Sequence, residues 1–221
     1  MNKYEHDAFK NWGRFLREKQ ISNTPTLNRF IARYKLSRKY IGIDASIGEK
    51  TLRGYSKIFH VFLAHSAFDS LNHGVAELAS REDSPMSVDI QFDLHNYPMI
   101  DDALANDIRK IKNMDAILLE YADNEKRVAR LKTFFEHDFT EAELAMRKLV
   151  KAKNEITVPN NLLVVASAMR NVVAHGNLSA TGASAINKKN CETIQRLATL
   201  VEDESFKLFG RYVDALWRKY G

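Results

Sequence analysis

Apolar residues recur every three or four positions along most of this chain, which is the spacing of one face of an α-helix. After Pro25, for example, Leu27, Phe30 and Tyr34 follow this spacing, and proline is well suited to a first helical turn. Further helices are predicted over residues 3–20, 51–79, 101–121, 124–137, 140–153, 159–175 and 188–220. Helices of this kind with short connections predict an all-α fold, arranged as an antiparallel helical bundle.

Two segments interrupt the helical pattern. Residues 81–99 hold two of the four prolines and alternate weakly between apolar and polar residues, so a loop with a short extended piece is predicted there. Residues 42–48 begin and end with glycine and are predicted to be a linker or a tight loop between helices. We therefore expect a basic N-terminal helical extension, residues 1–48, followed by a helical bundle, residues 49–221.

The most apolar helical stretch, residues 162–173, ends in a group of polar side chains. Its only polar residues are Ser167, Arg170 and Asn171, and His175 follows Asn171 by four positions on the same helix face. Such a helix is normally buried, so a charge and an amide within it require partners or a cleft. Together, an arginine, an amide and an imidazole can bind a phosphate and move a proton near neutral pH. The structural alternative is a buried ion pair, a helix cap and a helix end.

The amino-acid composition limits the class of protein and the compartment in which it is expected. Apolar residues make up 45% of the 221 residues, enough for a core, and only nine glycines interrupt the helix-forming residues. The single cysteine, Cys191, excludes an internal disulfide and favours a reducing compartment. The N-terminus shows no signal-peptide pattern, and no stretch approaches the roughly 20 apolar residues of a membrane span. We expect a cytoplasmic protein with no membrane partner.

The net charge of +5 is concentrated near the N-terminus. Residues 1–45 contain ten Lys or Arg against four Asp or Glu, a surplus of +6, so the remainder of the chain carries −1. A basic surface attracts polyanions, and the candidate phosphate-binding residues are Arg29, Arg33, Arg38 and Lys39. The alternative interpretation is an ordinary solvated helix face.

A second polar stripe lies on the predicted helix over residues 51–79. His65, Asp69 and His73 recur every four residues, but the stripe is about 12 Å long at about 1.5 Å per residue, too long for one ion. We therefore predict no metal site. His65 or Asp69 is instead a candidate to contact His175 across the bundle.

The motif Arg170-Asn171-x-x-x-His175, near the end of a late helix in an all-α bundle, resembles the HEPN family (higher eukaryote and prokaryote nucleotide-binding domain). The spacing of Arg and His alone is not specific, because it occurs three times in the chain. Only this copy combines Asn after the Arg, Gly176 after the His and an apolar helix. The resemblance leaves residues 1–48 unexplained.

The resemblance implies a metal-independent endoribonuclease that needs no cofactor and acts as a homodimer. The ribose 2′-hydroxyl would attack the adjacent phosphate, leaving a 2′,3′-cyclic phosphate and a 5′-hydroxyl. His175 would act as general acid and base, Arg170 would bind the phosphate oxygens and Asn171 would orient His175. Expected partners are RNA and an antitoxin or regulatory protein, since some members are toxins and others act in antiviral defence.

Two other interpretations remain open at this stage. One is a non-catalytic HEPN-like module that binds RNA, a nucleotide or a protein partner. The other is a helical DNA-binding or regulatory protein that uses residues 25–45. Cleavage in EDTA separates the first interpretation from a nuclease, and removal of residues 1–45 tests the second.

Overall fold

The fold was obtained as a computed structural model, which describes residues 3–20, 25–79, 100–111 and 187–221 together with positions 162, 165, 166, 169 and 170. Within these residues the protein is all-α, as predicted, and contains no strand. Its helices are α1 (Lys3–Glu18), α2 (Pro25–Arg38), α3 (Glu49–Ala79), α4 (Asp102–Arg109) and α5 (Lys188–Tyr220). The predicted helices over 124–137 and 140–153, and the predicted loop over 81–99, lie outside the described residues.

The helix α4 is shorter than the predicted helix over 101–121. Asp101 caps its start, because the backbone N–H of Leu104 donates to Asp101 Oδ1 at 2.7 Å. The helix ends at Arg109, and the N–H of Ile111 then donates to the carbonyl of Ile108 at 3.0 Å. This hydrogen bond joins residues three positions apart, and it tightens the last turn of α4. The predicted end was therefore wrong, since no Gly or Pro marks this stop in the sequence.

Two compact units make up the chain. The first contains residues 1–40, 63–92 and 200–221, and the second contains residues 41–62 and 93–199. The helices α3 and α5 each contribute their N-terminal part to the second unit and their C-terminal part to the first. The boundary predicted at residue 48 lies inside the second unit.

An aromatic core joins α1 to α5 in the first unit. The ring centroid of Phe9 is 5.5 Å from that of Phe206, and the centroid of Phe15 is 5.3 Å from that of Trp217. Residue numbers in these pairs rise together, so α1 and α5 run parallel. Edge-to-face and tilted rings of this kind contribute beyond their buried area. The apolar face of the N-terminal segment is thus buried against the last helix of the chain.

The helix α2 runs antiparallel to its neighbours in the first unit. Phe30 contacts Phe209 with ring centroids 5.1 Å apart, while Tyr34 contacts Phe206 at 5.4 Å, so the residue numbers run in opposite directions. The start of α2 lies close to α3 at Gly74. A Cβ atom built there would lie 2.9 Å from Leu27 Cδ2, which explains a glycine inside α3.

The second unit begins with the connection between α2 and α3. Gly42 has φ of 140°, a conformation that side chains rarely adopt, and the N–H of Ile43 donates to Ser56 Oγ at 3.0 Å. These features support a tight loop folded back on α3 rather than an extended linker. Ion pairs from Asp101 to Arg196 and from Asp107 to Lys189 link α4 to α5.

Candidate functional site

Arg170 lies at the edge of a buried apolar stripe. The described positions before it are helical and buried: Leu162, Val165, Ala166 and Met169. At these positions the predicted buried helix is confirmed. The Arg170 side chain is half-buried, and its guanidinium carbon lies 5.8 Å from the centroid of the Phe62 ring. A guanidinium at this distance is attracted to the face of an aromatic ring, so Phe62 helps to hold the charged end of Arg170.

Asn171 and His175 lie outside the described residues, so the geometry of the complete motif stays a prediction. The structure adds Phe62, a contact of Arg170 that sequence reasoning missed. Phe62 and Arg170 lie on different helices, far apart in the sequence, and no local pattern pairs them. Only the packing of the second unit brings the ring to the guanidinium.

An aromatic stripe on α3 continues from the Arg170 contact. Phe59 and Phe62 stack with ring centroids 5.7 Å apart and an interplanar angle of 10°. Tyr55 precedes Phe59 by four residues and therefore lies on the same helix face. Tyr55 and Phe59 are among the large hydrophobic residues exposed to solvent. We call these residues the α3 aromatic stripe: Tyr55, Phe59 and Phe62.

A hydrogen-bonded chain joins α3 to α5 in the second unit. Lys57 Nζ donates to Gln195 Oε1 at 2.9 Å, and Gln195 Nε2 lies 2.9 Å from Nδ1 of the buried His60. Because an ammonium only donates, Lys57 sets the orientation of the Gln195 amide. The amide N–H group then faces His60 Nδ1, which accepts, so the His60 proton is placed on Nε2. His60 also belongs to one of the unspecific Arg–His spacings in the sequence.

Three of the four predicted phosphate-binding residues are exposed on or just after α2. Among the described residues, Arg29 donates to the carbonyl of Pro25 in its own helix at 3.4 Å, and Lys39 is exposed after the helix end. Arg33 donates to Ser70 Oγ at 2.6 Å and to the carbonyl of Ser66 at 3.3 Å. Arg29 and Lys39 therefore present their charges to solvent, while Arg33 ties α2 to α3.

Arg38 occupies a different environment, a group of polar side chains between α1, α2 and α5. Its Nη2 lies 3.2 Å from Glu5 Oε1, and its Nη1 lies 3.2 Å from Glu202 Oε2. The Arg38 side chain is 26% exposed, whereas those of Glu5 and Glu202 are 3% and 2% exposed. We call the group the Arg38 cluster: Glu5, Tyr34, Ser37, Arg38, Glu202 and Asp203. The guanidinium thus compensates two buried carboxylates, and its role as a phosphate ligand stays a prediction.

Neutral donors and a third carboxylate complete the Arg38 cluster. Tyr34 OH donates to Glu5 Oε1 at 2.6 Å, and Ser37 Oγ donates to Glu202 Oε1. Asp203 Oδ1 lies 3.5 Å from Arg38 Nη1 at the more exposed edge of the cluster. Buried carboxylates are tolerated only when they are paired and hydrogen-bonded, and this arrangement provides both.

The Arg38 cluster shifts the pKa values of its members in the directions that burial and charge require. Burial, followed by the hydrogen bond to Glu5, raises the pKa of the Tyr34 phenol well above its usual range. Burial lowers the pKa of the Arg38 guanidinium, but the hydrogen bond to Glu202 and the surrounding negative charge raise it overall. Burial also raises the pKa of the Asp203 carboxyl, although the charge of Arg38 opposes this shift.

His65 and Asp69 belong to the first unit on α3. His65 is buried with its ring centroid 6.1 Å from that of Phe68, and Asp69 Oδ1 lies 3.6 Å from His73 Nε2. Because His175 lies outside the described residues, a contact from either side chain to His175 stays a prediction. Among the residues that the structure describes, no group of three His, Cys, Asp or Glu side chains is arranged to hold a metal ion.

None of the described helices contains an apolar run long enough to cross a membrane. No protein-family model, no curated protein and no solved structure matches this chain. The resemblance to the HEPN family therefore rests on the motif residues and their helical setting.

Proposed function

We propose that this protein is a metal-independent endoribonuclease of the HEPN type, with Arg170, Asn171 and His175 as its catalytic residues. The observation that carries the proposal is the position of Arg170. A permanently charged side chain lies at the edge of a buried apolar stripe and is held over the ring of Phe62. Such a preorganised guanidinium is suited to a phosphate that gains negative charge during reaction.

The proposed reaction is a transesterification within the RNA backbone. A ribose 2′-oxygen bonds to the adjacent phosphorus while the bond from phosphorus to the 5′-oxygen of the next nucleotide breaks. The 2′-hydroxyl loses a proton to a base, and the departing 5′-oxygen gains one from an acid. His175 serves in these proton transfers because imidazole titrates near neutral pH. Arg170 stabilises the crowded phosphorane, and Asn171 orients the imidazole.

A homodimer is part of this proposal. One histidine per chain cannot be protonated and deprotonated at once, so two copies of the motif provide both an acid and a base. The proposal also includes a role as a toxin or defence effector held in check by an antitoxin or regulatory protein. Light scattering tests the dimer, and growth arrest on expression of the wild-type chain but not of His175→Ala tests the toxin.

The decisive experiment incubates the purified protein with mixed-sequence RNA in EDTA and analyses the product ends. We expect 2′,3′-cyclic phosphates from the wild type, a loss of about 100-fold or more in rate for His175→Ala, and a similar loss for Arg170→Ala. His6→Ala, which changes an exposed histidine on α1, is the matched control and should cut at the wild-type rate.

If the folded wild type and every folded variant leave the RNA intact, the proposed nuclease activity is refuted. RNA binding that persists in both wild type and His175→Ala would then support the non-catalytic binding module. A requirement for added divalent metal, or unchanged cleavage by His175→Ala, would contradict the proposed catalytic roles.

A further inference from the structure

The exposed cations of α1 lie nearer to α2 than its exposed acids do. Phe9 contacts α2, and the exposed side chains of Lys10 and Arg17 lie about 100° and 80° round α1 from it. The exposed acids Asp7 and Glu18 lie about 160° and 180° round the helix from Phe9. Helical spacing thus separates the two signs of charge, and the positive side of α1 adjoins α2.

The adjoining side of α2 is positively charged as well. Lys35 Nζ lies 5.1 Å from the centroid of the Phe9 ring, which places this side of α2 against α1. The N–H of Lys39 donates to the carbonyl of Lys35 at 3.2 Å, so the helical turn continues and both side chains lie on one face. Both are exposed, and residues 19–43 contain no Asp or Glu, so no acid of α2 offsets these charges.

These exposed cations form a surface across two helices, which we call the α1–α2 basic surface: Lys10, Arg17, Lys35 and Lys39. The two helices run antiparallel, and Lys10 lies level with Lys35. From this level, Arg17 lies about 10 Å along in one direction and Lys39 about 6 Å in the other, at about 1.5 Å per residue. The surface is therefore about 16 Å long.

The positive charges of the α1–α2 basic surface are not neutralised within the described part of the chain. Glu18 is paired with Arg14 at 3.5 Å, while Glu5 and Glu202 are buried beside Arg38. Among the residues that the structure describes, no carboxylate pairs with a cation of this surface. All its charges are thus available to an external partner, and their length along the helices matches a polyanion.

The chemistry of the surface favours a phosphate backbone over a membrane or a protein. A helix that enters a membrane interface exposes an apolar face, and protein interfaces bury apolar or aromatic side chains at their centre. The apolar faces of α1 and α2 are instead buried in the aromatic core. Leu36 is the single large apolar side chain exposed among the described residues of the first unit. A phosphate backbone requires only cations, and at about 3.4 Å per phosphate the surface covers about five phosphates of one strand.

We propose that the α1–α2 basic surface binds the phosphate backbone of single-stranded RNA. The choice of RNA rests on the proposed ribonuclease function, and the inference adds to that function a binding surface in the first unit. Because the contacts are to phosphates, binding does not depend on base sequence and weakens as the salt concentration rises. The surface also gives a role to the N-terminal helices, which the resemblance leaves unexplained.

The test measures binding of a fluorescent RNA strand of mixed sequence by anisotropy over a range of salt concentrations. The riboses are 2′-O-methylated, so the strand lacks the attacking hydroxyl and is not cut. For a single strand, each phosphate contact contributes about 0.7 to the slope of log affinity against log salt, which is about 5-fold in affinity at about 0.1 M salt.

Two double variants each remove the charges of one helix. Lys35→Gln combined with Lys39→Gln should lower the slope by about 1.4 and the affinity at about 0.1 M salt by about 25-fold. Lys10→Gln combined with Arg17→Gln should cause losses of the same size. Lys35→Arg combined with Lys39→Arg keeps both charges and should bind like the wild type.

A matched control removes the same charge from other exposed positions of the first unit. Arg29 lies about 120° round α2 from Lys35, and Arg211 is exposed on α5. Arg29→Gln combined with Arg211→Gln should change the affinity by less than about 3-fold, because salt screens distant charges. Circular dichroism confirms folding, and if the α2 variant is unfolded, the α1 variant decides the result.

Absence of RNA binding by the wild type would overturn the proposal, as would an unchanged slope in both double variants. An equal loss in the control variant would overturn it too, because the effect would follow total charge. Vesicles of equal parts phosphatidylcholine and phosphatidylserine test a membrane instead. If the wild type binds these vesicles but not RNA, and Leu36→Ala weakens vesicle binding, a membrane replaces RNA as the partner.

The nuclease is judged separately, by cleavage of unmodified RNA. Binding that depends on the α1–α2 basic surface, without cleavage by the wild type, would keep the surface and refute the nuclease. Cleavage by the wild type, with binding unchanged in both double variants, would keep the nuclease and refute the surface.

Discussion

Replacement of Arg38 by methionine is expected to destabilise the protein strongly, because two buried carboxylates lose the cation between them. Arg38 lies 3.2 Å from Glu5 and 3.2 Å from Glu202, whose side chains are only 3% and 2% exposed. Methionine is unbranched and flexible, so it occupies much of the same space without the charge. The variant therefore isolates the electrostatic contribution of the Arg38 cluster.

The magnitude follows from the distances and the burial. At an effective dielectric constant of about 20, opposite unit charges 3.2 Å apart attract by roughly 5 kcal/mol. Most of this attraction offsets the free energy of removing the charges from water. When one partner of a buried pair is lost, the other keeps its desolvation penalty, and the typical loss is about 3–5 kcal/mol. Tyr34 and Ser37 still donate to the carboxylates, so we expect a loss near the lower end, about 3 kcal/mol.

Urea unfolding followed by circular dichroism measures the loss as a change in the unfolding midpoint. Arg29→Met is the matched control, since Arg29 is exposed on the same helix, and it should change the unfolding free energy by less than about 0.5 kcal/mol. Combining Arg38→Met with Glu5→Gln and Glu202→Gln should recover part of the stability, because no uncompensated charge remains. A loss below about 1 kcal/mol for Arg38→Met, or no recovery in the triple variant, would refute the reasoning.

The backbone at Gly42 and the titration of buried groups provide three further tests. Gly42→Ala should lower the melting temperature, with a loss of about 1–3 kcal/mol for the strained φ of 140°, while Gly48→Ala, where a Cβ meets nothing within 4 Å, should not. Burial raises the pKa values of Tyr34 and Tyr212, so the stability that these phenols contribute is complete below about pH 10 and is lost as the pH rises further. In an ultraviolet titration, these two of the eight tyrosines should ionise only when the protein unfolds. Ionisation of all eight tyrosines in the folded protein would contradict this prediction. Burial also raises the pKa of Asp203, so the charged carboxylate destabilises the folded protein at neutral pH. The Asp203→Asn variant should therefore melt at or above the wild-type temperature at pH 7, and at the same temperature as the wild type at acid pH. A lower melting temperature of the variant at pH 7 would show that the contact with Arg38 outweighs burial.

Local sequence signals predicted the helices and one of their ends. Apolar spacing predicted α2, α3 and α5, because each turn of a helix depends on residues three or four positions apart. The helix predicted from residue 101 starts there, because the Asp101 side chain caps α4. The end of α4 at Arg109 was missed, since it depends on a tightened backbone turn without a Gly or Pro signal.

The surroundings of the arginines could not be predicted in the same way. Arg29 and Arg38 occupy the same basic segment, yet Arg29 is exposed and Arg38 lies between buried carboxylates. The partner Glu202 is 164 residues from Arg38 in the sequence. A charge count treats both arginines alike, because it carries no information about which helices pack together.

The sequence by itself determined that the chain is helical, where most described helices lie, and that an Arg–Asn–His motif follows an apolar helix. Those features depend on residues within a few turns of one another. Tertiary structure alone decided that Phe62 lies under Arg170, that Tyr55 and Phe59 remain exposed on α3, and that Arg38 compensates Glu5 and Glu202. Such contacts join side chains from helices far apart in the chain, and they form only because burying apolar faces brings those helices together.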